Sequence, residues 1–174
     1  MKTQILILFI AFTSTVFSQK NVTASEIEIK IENDVELIYY KSKLFSGIIT
    51  ENYKDGKPKI YKTVKNGLAD GLWQEWYLNG NLKFNAQWKK GKGHGLWQYF
   101  YENGQLRSEE IYESDINQGI GLNYYRNGQL KGKTFHLDGK KHGQWITYSE
   151  TGLPISYEIH ENGELKMKGT YENN

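Results

Sequence analysis

The sequence predicts an all-β protein in which tandem 24-residue β-hairpins are laid edge to edge as an elongated, twisted, single-layer antiparallel sheet. Three observations carry that reading. Glycines recur at a step of 24: Gly47, Gly71, Gly95, Gly119 and Gly143 form one series, and Gly56, Gly80, Gly104, Gly128 and Gly152 a second. A third series holds Gly67, Gly91, Gly139 and Gly163, with Asp115 in its vacant slot. A fixed period of this size marks a repeat architecture. Asx-Gly pairs such as Asn79-Gly80, Asn103-Gly104 and Asn66-Gly67 stand at both turn positions of the unit. Such pairs suit the two central residues of a type I′ hairpin turn, where both need positive φ. Aromatic rings also keep the beat, at Trp73, Trp97 and Trp145, at Tyr53, Tyr77, Tyr101 and Tyr125, and at Trp76, Phe100, Tyr124 and Tyr148. A chain break every ten or so residues leaves no room for helices.

Taken in order, residues 1–18 read as a signal peptide. A cation at Lys2 precedes an apolar run from Ile5 to Phe12, and Val16 and Ser18 supply small residues before Gln19. The run is too short for a comfortable bilayer span. A buried N-terminal strand or helix is the alternative. Residues 19–46 form an N-terminal cap that pairs with the first unit. Ile27, Ile29 and Ile31 alternate with charges as one strand, and Val35 to Tyr40 form another. The repeats follow as 47–70, 71–94, 95–118, 119–142 and 143–166, with a tail at 167–174. Gly71 and its equivalents are placed where one hairpin bends into the next. The third and seventh residues of each unit, being both odd-numbered, are assigned to one face of the strand and the sixth to the other. Aromatic ladders and charged stems then cover both faces, each cross-strand ring pair contributing about 0.2–1 kcal/mol.

Composition narrows the chemistry. With 22 Lys+Arg against 20 Asp+Glu, no bulk field favours nucleic acid; membrane association is not indicated either. There is no cysteine, hence no disulfide, thiol or thiolate-metal site. No phosphate loop or nucleophile elbow is present. His94 and His142 are two repeats apart, on the order of 20 Å at ~4.8 Å per strand, too far to share a metal. Their joints, "KGHG" and "KKHG", read as turns with solvated imidazoles. His136 and His160 occupy the slot of Val64, Trp88 and Tyr112 and read as packing rings. The expectation is therefore a non-enzymatic protein with neither cofactor nor metal.

The stretches "GLWQEWYLNGNLK", "GLWQYFYENGQLR" and "NYYRNGQLKGK", with "HGLW" and "HGQW" at the joints, resemble the variant MORN repeat family, in particular its YwqK-type members labelled as toxin–antitoxin antitoxins. The resemblance spans about Phe45 to Tyr171. It implies tandem hairpins in an extended sheet, a role in protein interaction and, from the label, a toxin as partner. The expected function is an exported protein-binding or scaffold module in the periplasm, on the outer-membrane surface or outside the cell. A carbohydrate-binding envelope protein is the alternative, since rings can stack on sugars. The candidate binding residues are the aromatic face: Trp73, Tyr77, Trp97, Tyr101, Tyr125 and Trp145. Open sheet edges offer a route to self-association.

Overall fold

The structure, a computed structural model, describes residues 20–172; the expected signal peptide lies outside the described residues. The repeats build one sheet. Its strands are β1 (Asn21–Thr23), β5 (Gly47–Asn52), β6 (Pro58–Lys65), β7 (Leu68–Trp76), β8 (Leu82–Lys89), β9 (Lys92–Phe100), β10 (Leu106–Glu113), β11 (Ile116–Tyr124), β12 (Leu130–Leu137), β13 (Lys140–Lys141), β14 (Gly143–Tyr148), β15 (Pro154–Glu161) and β16 (Glu164–Thr170). From β5 onward, neighbours in sequence pair antiparallel as a meander; β13 and β14 together pair β12. The strand β16 runs through residues 167–170 of the expected tail and pairs with β15.

The cap joins the first unit in a way its alternation did not foretell. A second sheet comprises β2 (Ile27–Glu32), β3 (Val35–Tyr40) and β4 (Lys43–Leu44). Pairing with the first unit falls to β1, which runs parallel to β5. The small sheet docks end-on: Ile38 donates its N–H to the Gly67 carbonyl at 2.8 Å, and Gly67 donates to Phe45 at 2.7 Å. Val22, Ile38, Phe45, Ile49 and Val64 close over this junction as the buried core cluster.

The two turns of the unit differ, which corrects the expectation of type I′ turns at both. At 66–67, 90–91, 114–115, 138–139 and 162–163 both residues have positive φ, as type I′ requires. At the other turn only the glycine does. There the strand stops one residue before the tyrosine. Gly80 donates to the Tyr77 carbonyl at 2.9 Å and Tyr77 donates to Asn81 at 2.9 Å, a type I turn followed by a left-handed glycine. The Asn79 side chain explains the choice: its Oδ1 accepts the Asn81 N–H at 2.9 Å, an Asx turn that holds Asn79 at negative φ. The same correction applies to face parity, because Tyr77, Tyr101 and Tyr125 lie beyond the strand ends.

Gly71 and its equivalents are a further correction. They lie in or at the start of strands, not between hairpins. Gly71, at φ +101°, sits inside β7 opposite Trp88, where the pairing with β6 slips. A Cβ there would come within 2.6 Å of the Thr63 hydroxyl, so the bulge needs glycine sterically as well as conformationally.

Candidate functional site

Ring positions on the third slot place Trp73, Trp97 and Trp145 on one face of the sheet. Across β7–β10, that face gathers Trp73, Phe84, Trp88, Trp97, Tyr99 and Tyr112 into a continuous cluster. Trp73 and Trp88 lie 5.4 Å apart, Trp88 and Trp97 5.0 Å, and Trp97 and Tyr112 4.8 Å between ring centroids. Phe84 meets Trp73 and Trp97 edge-on. These pairings are offset and tilted, as the ring quadrupoles favour. Beside the cluster opens a cleft of about 500 Å³ whose lining includes Trp73, Phe84, Trp88, Trp97, Tyr99 and Arg107.

The indoles differ in how their N–H groups are used. Trp97 donates to the Gln87 carbonyl at 3.1 Å and Trp145 to Phe135 at 3.0 Å. The Nε1 atoms of Trp73 and Trp88 are buried without a partner. Lys62, itself buried, holds its ammonium 4.0 Å from the Trp73 ring and 3.4 Å from Glu36 of the cap. Trp145 stands apart from the main cluster, flanked by His136 at 5.1 Å and His160 at 5.3 Å, with Lys141 over its ring. Burial holds the His136 imidazole below its ordinary pKa. Tyr112 is pushed up to about 12, first by burial and then by its hydrogen bond to Glu110.

The candidate tyrosines Tyr77, Tyr101 and Tyr125, with Tyr53 of the same slot, have a different setting from the tryptophans. Each hydroxyl donates to a backbone carbonyl 23 residues on: Tyr53 to Trp76 at 2.7 Å, Tyr77 to Phe100 at 2.9 Å, Tyr101 to Tyr124 at 2.8 Å and Tyr125 to Tyr148 at 2.8 Å. Asn79, Asn103 and Asn127 add a parallel row by donating to Glu102, Arg126 and Glu150 carbonyls. In the first unit, where Asp55 cannot donate, Lys57 Nζ makes the bond to Leu78 instead. One rim of the sheet is thus stapled repeat to repeat. The candidate tyrosines are joints between repeats.

The opposite rim is stapled by the type I′ turns. Gly91 donates to Ala69, Asp115 to Gly93, Gly139 to Asn117 and Gly163 to Lys141, at 2.8–3.1 Å. The last slot of the unit supplies a side-chain acceptor for the same turns: Ser46 for Asn66, Asp70 for Lys90, Gln118 for Asp138 and His142 for Asn162. This corrects the reading of His94 and His142 as turn imidazoles in solvent. His94 lies within β9, His142 just before β14, and both are half-buried. The signal was present in the sequence at Ser46, Asp70, Gln118 and His142, which share the capacity to accept.

On the other face, side chains chain across the strands. Gln74 donates to Asn85 at 3.1 Å, Asn85 to Gln98 at 3.3 Å and Gln98 to Glu109 at 3.3 Å. Tyr124 reaches the same carboxylate at 3.4 Å. Among the described residues no three His, Cys, Asp or Glu side chains are grouped to hold a metal, and no helix is long and apolar enough to cross a membrane.

Periodic hairpins, two hydrogen-bonded rims and an aromatic face define a tandem β-hairpin repeat protein. The family profile described as the MORN repeat variant matches residues 69–90, 93–114, 117–140 and 155–173, half of the chain, and the chain belongs to that family. The first three matches begin in the strand after a type I′ turn, two residues ahead of Gly71, Gly95 and Gly119, and the fourth begins within β15. No curated protein matches the chain.

Proposed function

We propose that the protein is a non-enzymatic binding module that captures a protein partner on its aromatic face. The observation that carries this reading is the cleft beside Trp73, Trp88 and Trp97, where large rigid rings line about 500 Å³ of open space. Indole and phenol groups supply contact area at small entropic cost, which is why they dominate interface hot spots. Membership of a repeat family whose units stack into extended surfaces supports the same conclusion.

Export of the mature chain from Gln19 is part of this proposal, supported by the leader-like residues 1–18. Cell fractionation with N-terminal sequencing tests it, and an intact Met1 terminus on cytosolic protein would refute it. The resemblance to antitoxins then implies a growth inhibitor that acts in the envelope. Sugar stacking is the weaker reading: the rings tilt 35–43° onto one another along the Trp73–Trp88–Trp97 row and cover each other's faces.

The test is capture from a native envelope extract by the purified chain, read by mass spectrometry. Trp97→Ala, with circular dichroism showing the fold intact, is expected to lose the captured protein. Unchanged capture would remove the aromatic face from the account.

A further inference from the structure

A second periodicity runs along the face that carries the tryptophans. In each hairpin the residue directly after the strand-initiating Leu or Pro falls in a register slip: Lys59, Lys83, Arg107, Lys131 and Ile155 occupy that slot at steps of 24. Across the pair, in the strand before the turn, stand Glu51, Glu75, Tyr99, Asn123 and Thr147. In the first two units the slot is neutralised: Lys59 meets Glu51 at 2.6 Å and Lys83 meets Glu75 at 3.1 Å. In the third and fourth units the acid is gone. Arg107 lies over the Tyr99 ring at 5.2 Å and Lys131 over the Tyr125 ring at 5.5 Å, neither with a carboxylate partner in its slot.

Acids remain on this half of the face, fixed in place by hydrogen bonds. Glu110 accepts from Tyr112 and Asn117, and Glu158 bonds His160. Lys131 lines a trough of about 370 Å³ with Lys133, Lys141, Asn123, Thr134 and Ser156, all able to donate to an anion, and with one carboxylate, Glu158. The trough has no lining residue from β1–β4, whereas the cleft at Arg107 also takes Glu36 of the cap and Glu75 into its lining.

We propose that the Arg107–Lys131 half of this face docks an acidic, extended segment of the protein partner. The inference rests on the protein-binding reading above and specifies the partner's chemistry. One repeat is two strands, so successive slots stand roughly 9.6 Å apart at ~4.8 Å per strand. A polyproline II chain advances about 9.3 Å in three residues and returns to the same side. A carboxylate at every third residue of such a segment therefore matches the cation spacing, and the Tyr99 and Trp97 rings lie beside its path.

The experiment uses the purified chain and a fluorescein-labelled dodecapeptide repeating Glu-Pro-Pro, with Gln-Pro-Pro as the neutral counterpart, read by anisotropy at low and high salt. The acidic peptide is expected to bind, to weaken with added salt, and to lose about tenfold or more in affinity with Arg107→Gln/Lys131→Gln. Lys59→Gln, whose slot is already neutralised, should leave binding unchanged. Matching melting curves show that the variants fold. Equal binding of the neutral peptide, or equal loss with Lys59→Gln, overturns the proposal. So does binding of polygalacturonate or phosphatidylglycerol vesicles, with the same dependence on Arg107 and Lys131, in place of the peptide. If the peptide fails while Trp97-dependent capture from envelope extract persists, the acidic-segment inference falls and the binding-module reading stands.

Discussion

The first repeats and the last ones share a backbone plan and differ in what covers them. Between Val22 and Ala86 the junction of the cap with the first unit encloses Ile38 at 1% and Ile49 at 2% exposure, and Ala86 in β8 is at 0%. Among the described residues beyond Phe100 only Gly121 and His160 are buried, and Ile111, Ile120, Leu137 and Met167 remain between 43% and 55% exposed. Both halves keep the tyrosine and turn staples. The difference teaches that the cooperative core belongs to the capped end, while the uncovered end is held by hydrogen bonds along its rims and by cross-strand pairs. A repeat array can extend in this way because each unit needs only its neighbour.

Breaking the comparison at its strongest point means cutting the capped core. Ile38→Ala should cost about 2–5 kcal/mol, because the side chain is enclosed and its site cannot collapse freely. Ile120→Ala, on the open half, should stay within about 0.5 kcal/mol. Urea denaturation checks both, and similar losses would erase the distinction between the halves. The rim staples sharpen it. Tyr53→Phe, Tyr101→Phe and Tyr125→Phe each remove one hydroxyl donor and should each cost about 1 kcal/mol. Near-equal values from the first junction to the last are expected in thermal melts, since the staple geometry does not change along the array. A smaller effect belongs to the open half alone. Burial keeps His136 neutral in the fold, so the unfolded chain takes up the proton first as pH falls below about 6.5. Stability is full above that pH and declines as pH drops toward the lower folded value. Melting temperature should fall between about pH 7.5 and pH 5.5, and less so in His136→Tyr, which restores the ring found at Tyr112. An unchanged slope in that variant would move the pH dependence elsewhere.

The period, the hairpins and the aromatic face were legible because each is written in residue type at a constant step. What was not legible depended on geometry that residue type leaves open. Asn79-Gly80 and Asn66-Gly67 look alike as dipeptides, yet Asn79 makes an Asx turn and bonds the next repeat, while Asn66 adopts positive φ. Gly71 resembles a joint, but it lies inside a strand at a register slip, where the Thr63 hydroxyl leaves no room for a Cβ. The tyrosines could be recognised as periodic without revealing that their hydroxyls reach carbonyls 23 residues away. Alternating isoleucines announced strands in the cap, but their sheet stands apart, and the three residues Asn21–Thr23 make the parallel pairing to β5. Of the site, Trp73, Trp97 and Trp145 were found by period. Phe84, Trp88 and Tyr99 were not, since they come from neighbouring slots that only the pairing register brings together.

Native-state amide hydrogen exchange, resolved by residue, tests the central claim most directly. Turn amides at Gly91, Asp115, Gly139 and Gly163 should be protected like strand amides, since each donates to the preceding repeat. Opening free energies should fall from β6–β8 toward β14–β16 as the cap's cover is left behind. Turn amides that exchange at the rate of open chain, or protection that is uniform from end to end, would contradict the account.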